Sequence, residues 1–176
     1  MFYFVLNISN HYFCYRKMIC MDDIIIRIAE GKDLKTLLDF EQGIIEAERP
    51  YDPTLKPEKI SYYDIEKMLS EENTAVIIAE INNKIVGSGY AKIIKAKPYL
   101  VHENYAYLGF MFTDSDFRGM GINSKIIAYL KNWCISRNIF ELRLDVYNDN
   151  PSAIKAYEKT GFKKHLVNMR IGLDKI

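Results

Sequence analysis

From Met21 onward, the spacing of apolar and polar positions switches between that of strands and that of helices. A β-branched run at residues 24–28 predicts a first strand. The next segment repeats at helical spacing with one polar exception, Glu41, and Asp33 stands where it would cap the helix. Residues 48–61 follow without a period of their own, which indicates a long loop of the kind that often carries function. The apolar positions of the helical face are Leu34, Leu37, Leu38, Ile44 and Ile45.

Three strands are predicted in the middle of the chain. The runs 75–80 and 85–93 have strand character, and Asn82 and Asn83 between them tolerate the positive φ angles of a tight hairpin. These two runs are therefore expected to pair antiparallel. The run 105–112 is apolar at every position, as in a strand that is covered on both faces, so we expect it at the centre of the sheet.

The last third of the chain predicts helix, strand, helix and further strands. Apolar residues recur at helical spacing after Asn123, and the run 142–146 then alternates apolar and charged residues as a half-buried strand does. A short final helix is bounded by Asn150 as its N-cap and by Gly161 just past its end. Residues 162–173 predict a final strand or two.

Composition and charge are those of an ordinary globular protein. Hydrophobic residues make up 49% and charged residues 27% of the 176-residue chain, and 24 basic against 23 acidic residues give a formal net charge of +1. No field of one sign therefore favours nucleic acid or a membrane surface as a partner. The three cysteines lack zinc or redox spacing, which predicts reduced thiols in a cytoplasmic protein.

Residues 1–20 do not share the domain-like pattern. The segment is rich in aromatic residues, but interspersed polar residues make it unlike a signal peptide. They also make it too polar for a membrane span, which takes about 20 predominantly apolar residues. We interpret residues 1–20 as an N-terminal extension outside the core and residues 21–176 as one domain.

A glycine-containing turn follows the predicted central strand. The run Arg118-Gly119-Met120-Gly121-Ile122-Asn123 leads directly into a helix. Its two glycines let the backbone come close to a ligand, and the free amides and positive dipole end of a helix favour a phosphate or pyrophosphate. The run lacks the Lys-Ser/Thr ending of a P-loop and the third glycine of a dinucleotide fingerprint. The alternative is that the glycines only make a sharp turn.

Two motifs, in this order, resemble those of the GNAT superfamily of N-acetyltransferases. Arg118, Gly121 and Asn123 follow its Arg/Gln-x-x-Gly-x-Gly/Ala pattern, with Asn in place of the usual final Gly or Ala. The segment 150–162 is similar to the second signature of that superfamily, and the resemblance covers residues 108–162 in the family's arrangement. The residues of this second motif are Asn150, Ala153, Tyr157, Lys159, Gly161 and Phe162.

The resemblance implies an α/β (α+β) fold with a bound co-substrate. Its sheet would be single, mixed and mostly antiparallel, with six or seven strands splayed at the centre and about four flanking helices. Acetyl-CoA would lie in the wedge, with its pantetheine along the central strand and its pyrophosphate on the glycine turn. Asn150 would contact the cofactor, and Tyr157 would lie near the thioester sulfur. The implied cofactor-binding residues are Phe112, Thr113, Asp114, Arg118, Gly119, Met120, Gly121, Ile122, Asn123, Ser124, Asn150 and Tyr157.

The implied reaction is direct attack of a neutral amine on the acetyl thioester, without an acyl-enzyme. Backbone amides near Thr113 would stabilise the oxyanion, and the Tyr157 hydroxyl would protonate the leaving thiolate. Glu103 is our first choice for the general base, because the strand before the glycine turn carries no carboxylate of its own. We interpret Cys134 as core packing, and the scattered histidines predict no metal site. The alternative bases are His102, Glu46, Glu48 and Asp52.

The acceptor amine is left open by the sequence. A protein N-terminus is our first choice, because an α-amine is roughly a tenth neutral at pH 7 whereas a lysine amine is under about 0.1% neutral. A polyamine, an amino acid or an aminoglycoside is the alternative. A non-catalytic CoA-binding module is the alternative from another class, and both a monomer and a homodimer are compatible with the sequence. Candidate aromatic residues for the acceptor pocket are Tyr51, Tyr62, Tyr63, Tyr99 and Tyr105.

Overall fold

A single five-stranded sheet organises residues 24–173, the part of the chain that the computed structural model describes. The predicted extension, residues 1–20, lies outside the described residues. The strand order is β1-β2-β3-β4-β5, with antiparallel pairing from β1 to β4 and parallel pairing of β4 with β5. The predicted mixed, mostly antiparallel sheet is thus confirmed. The strands are β1 (Ile25–Ile28), β2 (Thr74–Ile81), β3 (Lys84–Lys95), β4 (Asn104–Thr113) and β5 (Leu142–Arg143).

Four α-helices flank the described sheet, as predicted. On one face α1 and α2 cover an apolar cluster that includes Leu37, Ile44 and Phe110, and on the other face α3 covers a second cluster that includes Ile126 and Leu130. None of the helices within residues 24–173 is long and apolar enough to cross a membrane. The helices are α1 (Leu34–Glu48), α2 (Ile65–Met68), α3 (Ile122–Ile135) and α4 (Pro151–Lys159).

The β2–β3 hairpin forms where the sequence predicts it. Asn82 and Asn83 adopt φ angles of 50° and 63°, and Ile81 pairs with Lys84 across the turn. Asparagine reaches this left-handed region at lower cost than most other residues. The predicted tight hairpin is therefore confirmed.

The C-terminal part of the predicted sheet is wrong in two respects. Within residues 24–173 there are five strands rather than six or seven, because residues 162–173 form no strand. Of the predicted strand 142–146, only Leu142 and Arg143 pair with β4. Alternating apolar residues favour extended chain, but a strand also needs a neighbouring ladder, and beyond Arg143 the chain leaves β4.

Candidate functional site

One edge of β4 is open where β4 and β5 separate. The two strands pair only at Ala106 with Leu142 and at Tyr107 with Arg143. From Leu108 to the end of the strand, β4 pairs with β3 on one side and with no strand of residues 24–173 on the other. We call the space between residues 108–113 of β4 and residues 144–147 the β4–β5 cleft. It corresponds to the splay that the sequence analysis predicts.

At the end of β4, some main-chain N–H and C=O groups face β3 and others face the open edge of the strand. The Asp114 N–H donates to the Val86 carbonyl at 2.9 Å, on the β3 side. Because main-chain groups alternate along a strand, the N–H and C=O of Thr113 point toward the open edge. There the Arg118 Nε donates to the Thr113 carbonyl at 3.3 Å. The Asp114 side chain pairs with Lys84 at 2.9 Å, and this hydrogen bond lowers the pKa of the Asp114 carboxyl.

A β-bulge interrupts β4 beside the cleft. Phe110 and Met111 together oppose Gly89, and Phe110 has a φ of 56°. The fully buried Ser88 hydroxyl donates to the Phe110 carbonyl at 3.0 Å and so holds the bulged backbone. Bulges redirect main-chain groups and commonly lie next to active sites. No local sequence signal marks this bulge.

The glycine turn brings a set of backbone amides to the start of α3. Gly119 and Gly121 have φ angles of 81° and 77°, and no side chain caps the helix at Gly121. The first bond to the cap is from the Lys125 N–H to the Gly121 carbonyl at 3.1 Å. Met120 and Ile122 pack their side chains against the core, so they offer main-chain groups to a ligand. The amides without an intrahelical partner are those of Ile122, Asn123 and Ser124.

The second motif forms α4 and its cap. The Asn150 Oδ1 accepts hydrogen bonds from the Ala153 N–H at 3.1 Å and from the Ser152 hydroxyl at 2.8 Å. The predicted N-cap is therefore confirmed. Tyr157 is half-buried, and its ring contacts Phe162 edge to face at a centroid distance of 6.2 Å. Within residues 24–173 its hydroxyl makes no hydrogen bond.

This combination of open strand, glycine turn and capped helix has known relatives. The sequence profile of the acetyltransferase (GNAT) family matches residues 41–162. An acetyltransferase of Pectobacterium atrosepticum is 33% identical over 125 residues, which are 71% of this chain and 82% of that protein. The chain belongs to the acetyltransferase (GNAT) family. The predictions of this family, of an N-acetyltransferase and of acetyl-CoA as co-substrate are confirmed.

Solved structures share the fold of this GNAT protein. A predicted acetyltransferase of Clostridium acetobutylicum, crystallised with acetyl-CoA, has a TM-score of 0.65 at 23% identity over 85% of this chain and 96% of that chain. An aminoglycoside acetyltransferase from an uncultured soil metagenomic sample has a TM-score of 0.67 at 19% identity over 87% of this chain and 98% of that chain. At these identities the likeness shows the fold.

Glu48, at the C-terminal end of α1, is the carboxylate that electrostatics link to Tyr157. Burial raises the pKa of the Tyr157 hydroxyl to about 12, and the negative charge of Glu48 contributes to the rise. Glu48 is itself half-buried, and its pKa is raised by burial and then by the neighbouring charge of Asp52, against a lowering contribution from the Tyr62 hydroxyl. The GNAT motifs do not include Glu48, which the sequence analysis names only as an alternative base.

Tyr62 lines the same region with a buried hydroxyl. Among residues 24–173 no group meets full hydrogen-bond geometry with this hydroxyl, and the Glu48 carboxylate is a charged group that interacts with it. Burial, and next the charge of Glu48, raise its pKa to about 12, so it is protonated at neutral pH. The charge of Glu48 thus acts on the hydroxyls of both Tyr62 and Tyr157, although the three residues come from separate segments.

Glu41 holds the loop that carries Tyr62. Its side chain is almost fully buried, with 1% of the residue exposed. The carboxylate accepts hydrogen bonds from the backbone N–H groups of Tyr62 at 2.7 Å and Tyr63 at 2.8 Å, and from the Ser61 hydroxyl at 2.8 Å. The one polar position on the apolar face of α1 is therefore an anchor for the loop that carries Tyr62 and Tyr63.

We expect Glu41→Ala to destabilise the fold by about 2 kcal/mol, because two backbone N–H groups lose their acceptor in the interior. Thermal unfolding followed by circular dichroism measures the change. Glu46→Ala, at an exposed position of the same helix, is the matched control and is expected to leave the melting temperature nearly unchanged. Equal melting temperatures of the two variants would contradict the anchoring role.

Glu103, the first choice for the base, is not brought together with the other predicted site residues. It stands just before β4, an exposed residue at the opposite end of this ten-residue strand from Thr113. A strand of that length spans about 33 Å. Cys134 is fully buried in the core, where burial raises the pKa of its thiol to about 11, as expected for packing. No group of metal-binding side chains occurs within residues 24–173.

Proposed function

We propose that the protein transfers the acetyl group of acetyl-CoA to a primary amine by direct attack. The observation that carries this proposal is the open edge of β4 beside the uncapped N-terminus of α3. Extended pantetheine fits an unpaired strand edge, and a pyrophosphate fits the amides and positive dipole of a helix start. Both features lie at the C-terminal end of one strand, so one molecule can use both.

Main-chain groups of this site can bind both the pantetheine and the pyrophosphate of acetyl-CoA. The Thr113 N–H and C=O face the cleft and pair with the pantetheine amides, while Phe112 and Asp114 continue the strand on either side. The amides from Gly119 to Ser124 take the pyrophosphate, and Arg118 adds a positive charge. Asn150 contacts the cofactor from the N-terminus of α4 through its side-chain Nδ2, because its Oδ1 is used to cap the helix.

Glu48 is the proposed general base, in place of Glu103. It accepts a proton from the acceptor's ammonium group, and the neutral amine then attacks the thioester carbonyl. The raised pKa of the Glu48 carboxyl lies closer to neutral pH than that of an ordinary glutamate. A base whose pKa is close to the operating pH accepts a proton more effectively. Two features support the assignment: the charge of Glu48 contributes to the raised pKa of Tyr157, and no ion pair within residues 24–173 involves the Glu48 carboxylate.

Tyr157 is the proposed general acid. Acetyl-CoA supplies the activated acetyl group: a C–N bond forms to the amine and the C–S bond breaks. Tyr157 donates its hydroxyl proton to the departing sulfur and is reprotonated from solvent. Of the two protons that the ammonium group gives up, one therefore ends on the CoA thiol and the other is released.

Tyr157→Phe is expected to lower kcat by no more than about 100-fold, because a thiolate leaves fairly well without help. The phenylalanine ring keeps the contact with Phe162, so the melting temperature and the affinity for acetyl-CoA should change little. Thiol release under saturating amine measures kcat. Full turnover combined with lower stability would instead assign Tyr157 to packing alone.

The direct test of the proposed function is thiol release from acetyl-CoA with a panel of amines and peptides, with mass spectrometry of the acetylated product. Amine-dependent release and one added acetyl group support the transferase. Tight acetyl-CoA binding without release in the presence of any amine would instead support the non-catalytic CoA-binding module. A protein N-terminus remains in the panel as a candidate acceptor.

A further inference from the structure

Two carboxylates, Glu48 and Asp52, lie at the C-terminal end of α1, and one of them has no cation beside it among the described residues. Glu48 and Asp52 are one helical turn apart, and the Asp52 N–H donates to the Glu48 carbonyl at 3.2 Å. Arg170, from the C-terminal segment, pairs with Asp52 at 2.8 Å. Arg49 is directed elsewhere, because its Nε binds Glu46 at 2.8 Å. Glu48 is therefore left without a cation among the described ion pairs.

A third carboxylate lies across the cleft. Asp145 follows β5 at the point where the strands separate, and it accepts a hydrogen bond from the Tyr107 hydroxyl at 3.0 Å. After burial, its negative charge is the next contribution that raises the pKa of Tyr107 and of Tyr90. Asp145 is exposed, and no ion pair found within residues 24–173 involves it. One of its oxygens thus remains open to a ligand.

Aromatic rings connect the carboxylates. Tyr51, from the loop after α1, stacks on Tyr147, from the segment after β5, with ring centroids 5.8 Å apart at an interplanar angle of 22°. An ammonium group binds favourably over the face of such rings. The buried hydroxyl of Tyr62, which interacts with Glu48, adds a neutral polar group beside that carboxylate. Rings and carboxylates in alternation suit a ligand with several separated positive charges.

We infer that the acceptor is a small polycation with two or more primary ammonium groups. One amine is acetylated at Glu48, and a further ammonium group binds Asp145. Alkyl polyamines and aminoglycosides share this chemistry. The inference rests on the proposed function and narrows its substrate class. A peptide N-terminus carries only one obligatory positive charge, so it leaves Asp145 without a cation.

The test compares acceptors by thiol release under identical acetyl-CoA. The arms are spermidine, kanamycin, butylamine as a monoamine, and a peptide that begins with alanine and carries no other positive charge. We expect kcat/KM for spermidine or kanamycin to exceed that for butylamine and the peptide by at least about tenfold. The spermidine and kanamycin arms distinguish the two sources of the polycation.

Removal of a negative charge and removal of a positive charge at this site are expected to change KM for the polycation in opposite directions. Asp145→Asn is expected to raise KM for the better polycation by about tenfold. Arg170→Gln is expected to lower that KM several-fold, because it frees Asp52 for the ligand. Asp39→Asn makes the same charge change at an exposed position of α1 and should leave KM unchanged. Circular dichroism confirms that each variant is folded.

The outcomes separate the two proposals. Turnover that favours the peptide or butylamine, or equal KM values for Asp145→Asn and Asp39→Asn, would overturn the polycation inference and leave the transferase standing. No thiol release with any of the four acceptors would overturn the proposed function, and the inference with it. Polycation preference together with the opposite KM shifts supports both.

Discussion

Exchange of Glu48 for glutamine is expected to reduce kcat/KM for the acceptor amine by about 10²- to 10⁴-fold, the usual contribution of general base catalysis. Glutamine has nearly the same size and helix propensity as glutamate, but it cannot take the proton of an ammonium group. Acetyl-CoA affinity should persist, because the cofactor contacts proposed above lie on β4, the glycine turn and α4. Thiol release at varied amine concentration gives kcat/KM, and calorimetry gives the affinity.

The pH profile separates a base from a merely structural carboxylate. The pKa of Glu48 is raised, so the active carboxylate form is lost as the pH falls through that raised value, and wild-type kcat should fall with it. The Glu48→Gln protein should lack this acidic limb while retaining the slope that comes from the amine itself. Glu46→Gln, at the exposed partner of Arg49, should keep the wild-type profile. Identical acidic limbs in all three proteins would place the base elsewhere, with Glu103 as the next candidate.

Gly121→Glu is expected to weaken acetyl-CoA binding by more than about 100-fold, because like charges about 4 Å apart repel by several kcal/mol at an effective dielectric constant of about 20. Gly121 immediately precedes α3, where the pyrophosphate is proposed to bind. The new carboxylate would oppose that anion and the favourable field of the helix dipole. Calorimetric titration with acetyl-CoA measures the loss.

A second substitution controls for the backbone at this position. Gly121 has a φ of 77°, so a side chain there is strained by about 1 kcal/mol whatever its charge. Gly121→Asn brings a residue that tolerates this conformation and adds no charge, so it should keep most of the affinity. Similar affinities for the Glu and Asn variants, once both are shown to be folded, would move the pyrophosphate away from α3.

The sequence predicts those features that are determined by a few consecutive residues. Asn82 and Asn83 specify a tight hairpin through their own backbone preferences. Asn150 and the proline after it specify a helix start, because the Asn150 side chain caps the backbone N–H three residues later and proline is favoured at the first helical position. Gly121 indicates the strand-to-helix turn because glycine readily adopts the positive φ angle that this turn requires. Such features depend on a few consecutive residues, so one sequence is enough to find them.

Features that depend on distant contacts could not be predicted in this way. The anchoring bonds of Glu41 reach residues 61–63, and on α1 the residue was only an interruption of the apolar pattern. The bulge at Phe110 depends on Ser88, from another strand. Glu48 acquires its relation to Tyr157 when α1 and α4 approach the same cleft. Residues 162–173 have a strand-like pattern but no adjacent ladder, and sequence alone does not supply that neighbour.

The way in which Glu41 binds its loop has an evolutionary consequence. Its carboxylate holds the main-chain N–H groups of residues 62 and 63, which every amino acid except proline possesses. Side chains at these two positions can therefore be exchanged during divergence without loss of these two hydrogen bonds. Under the proposed function, the attachment of the loop is thus separate from its contacts with the acceptor, so new acceptor preferences can arise by substitutions in the loop while position 41 stays the same.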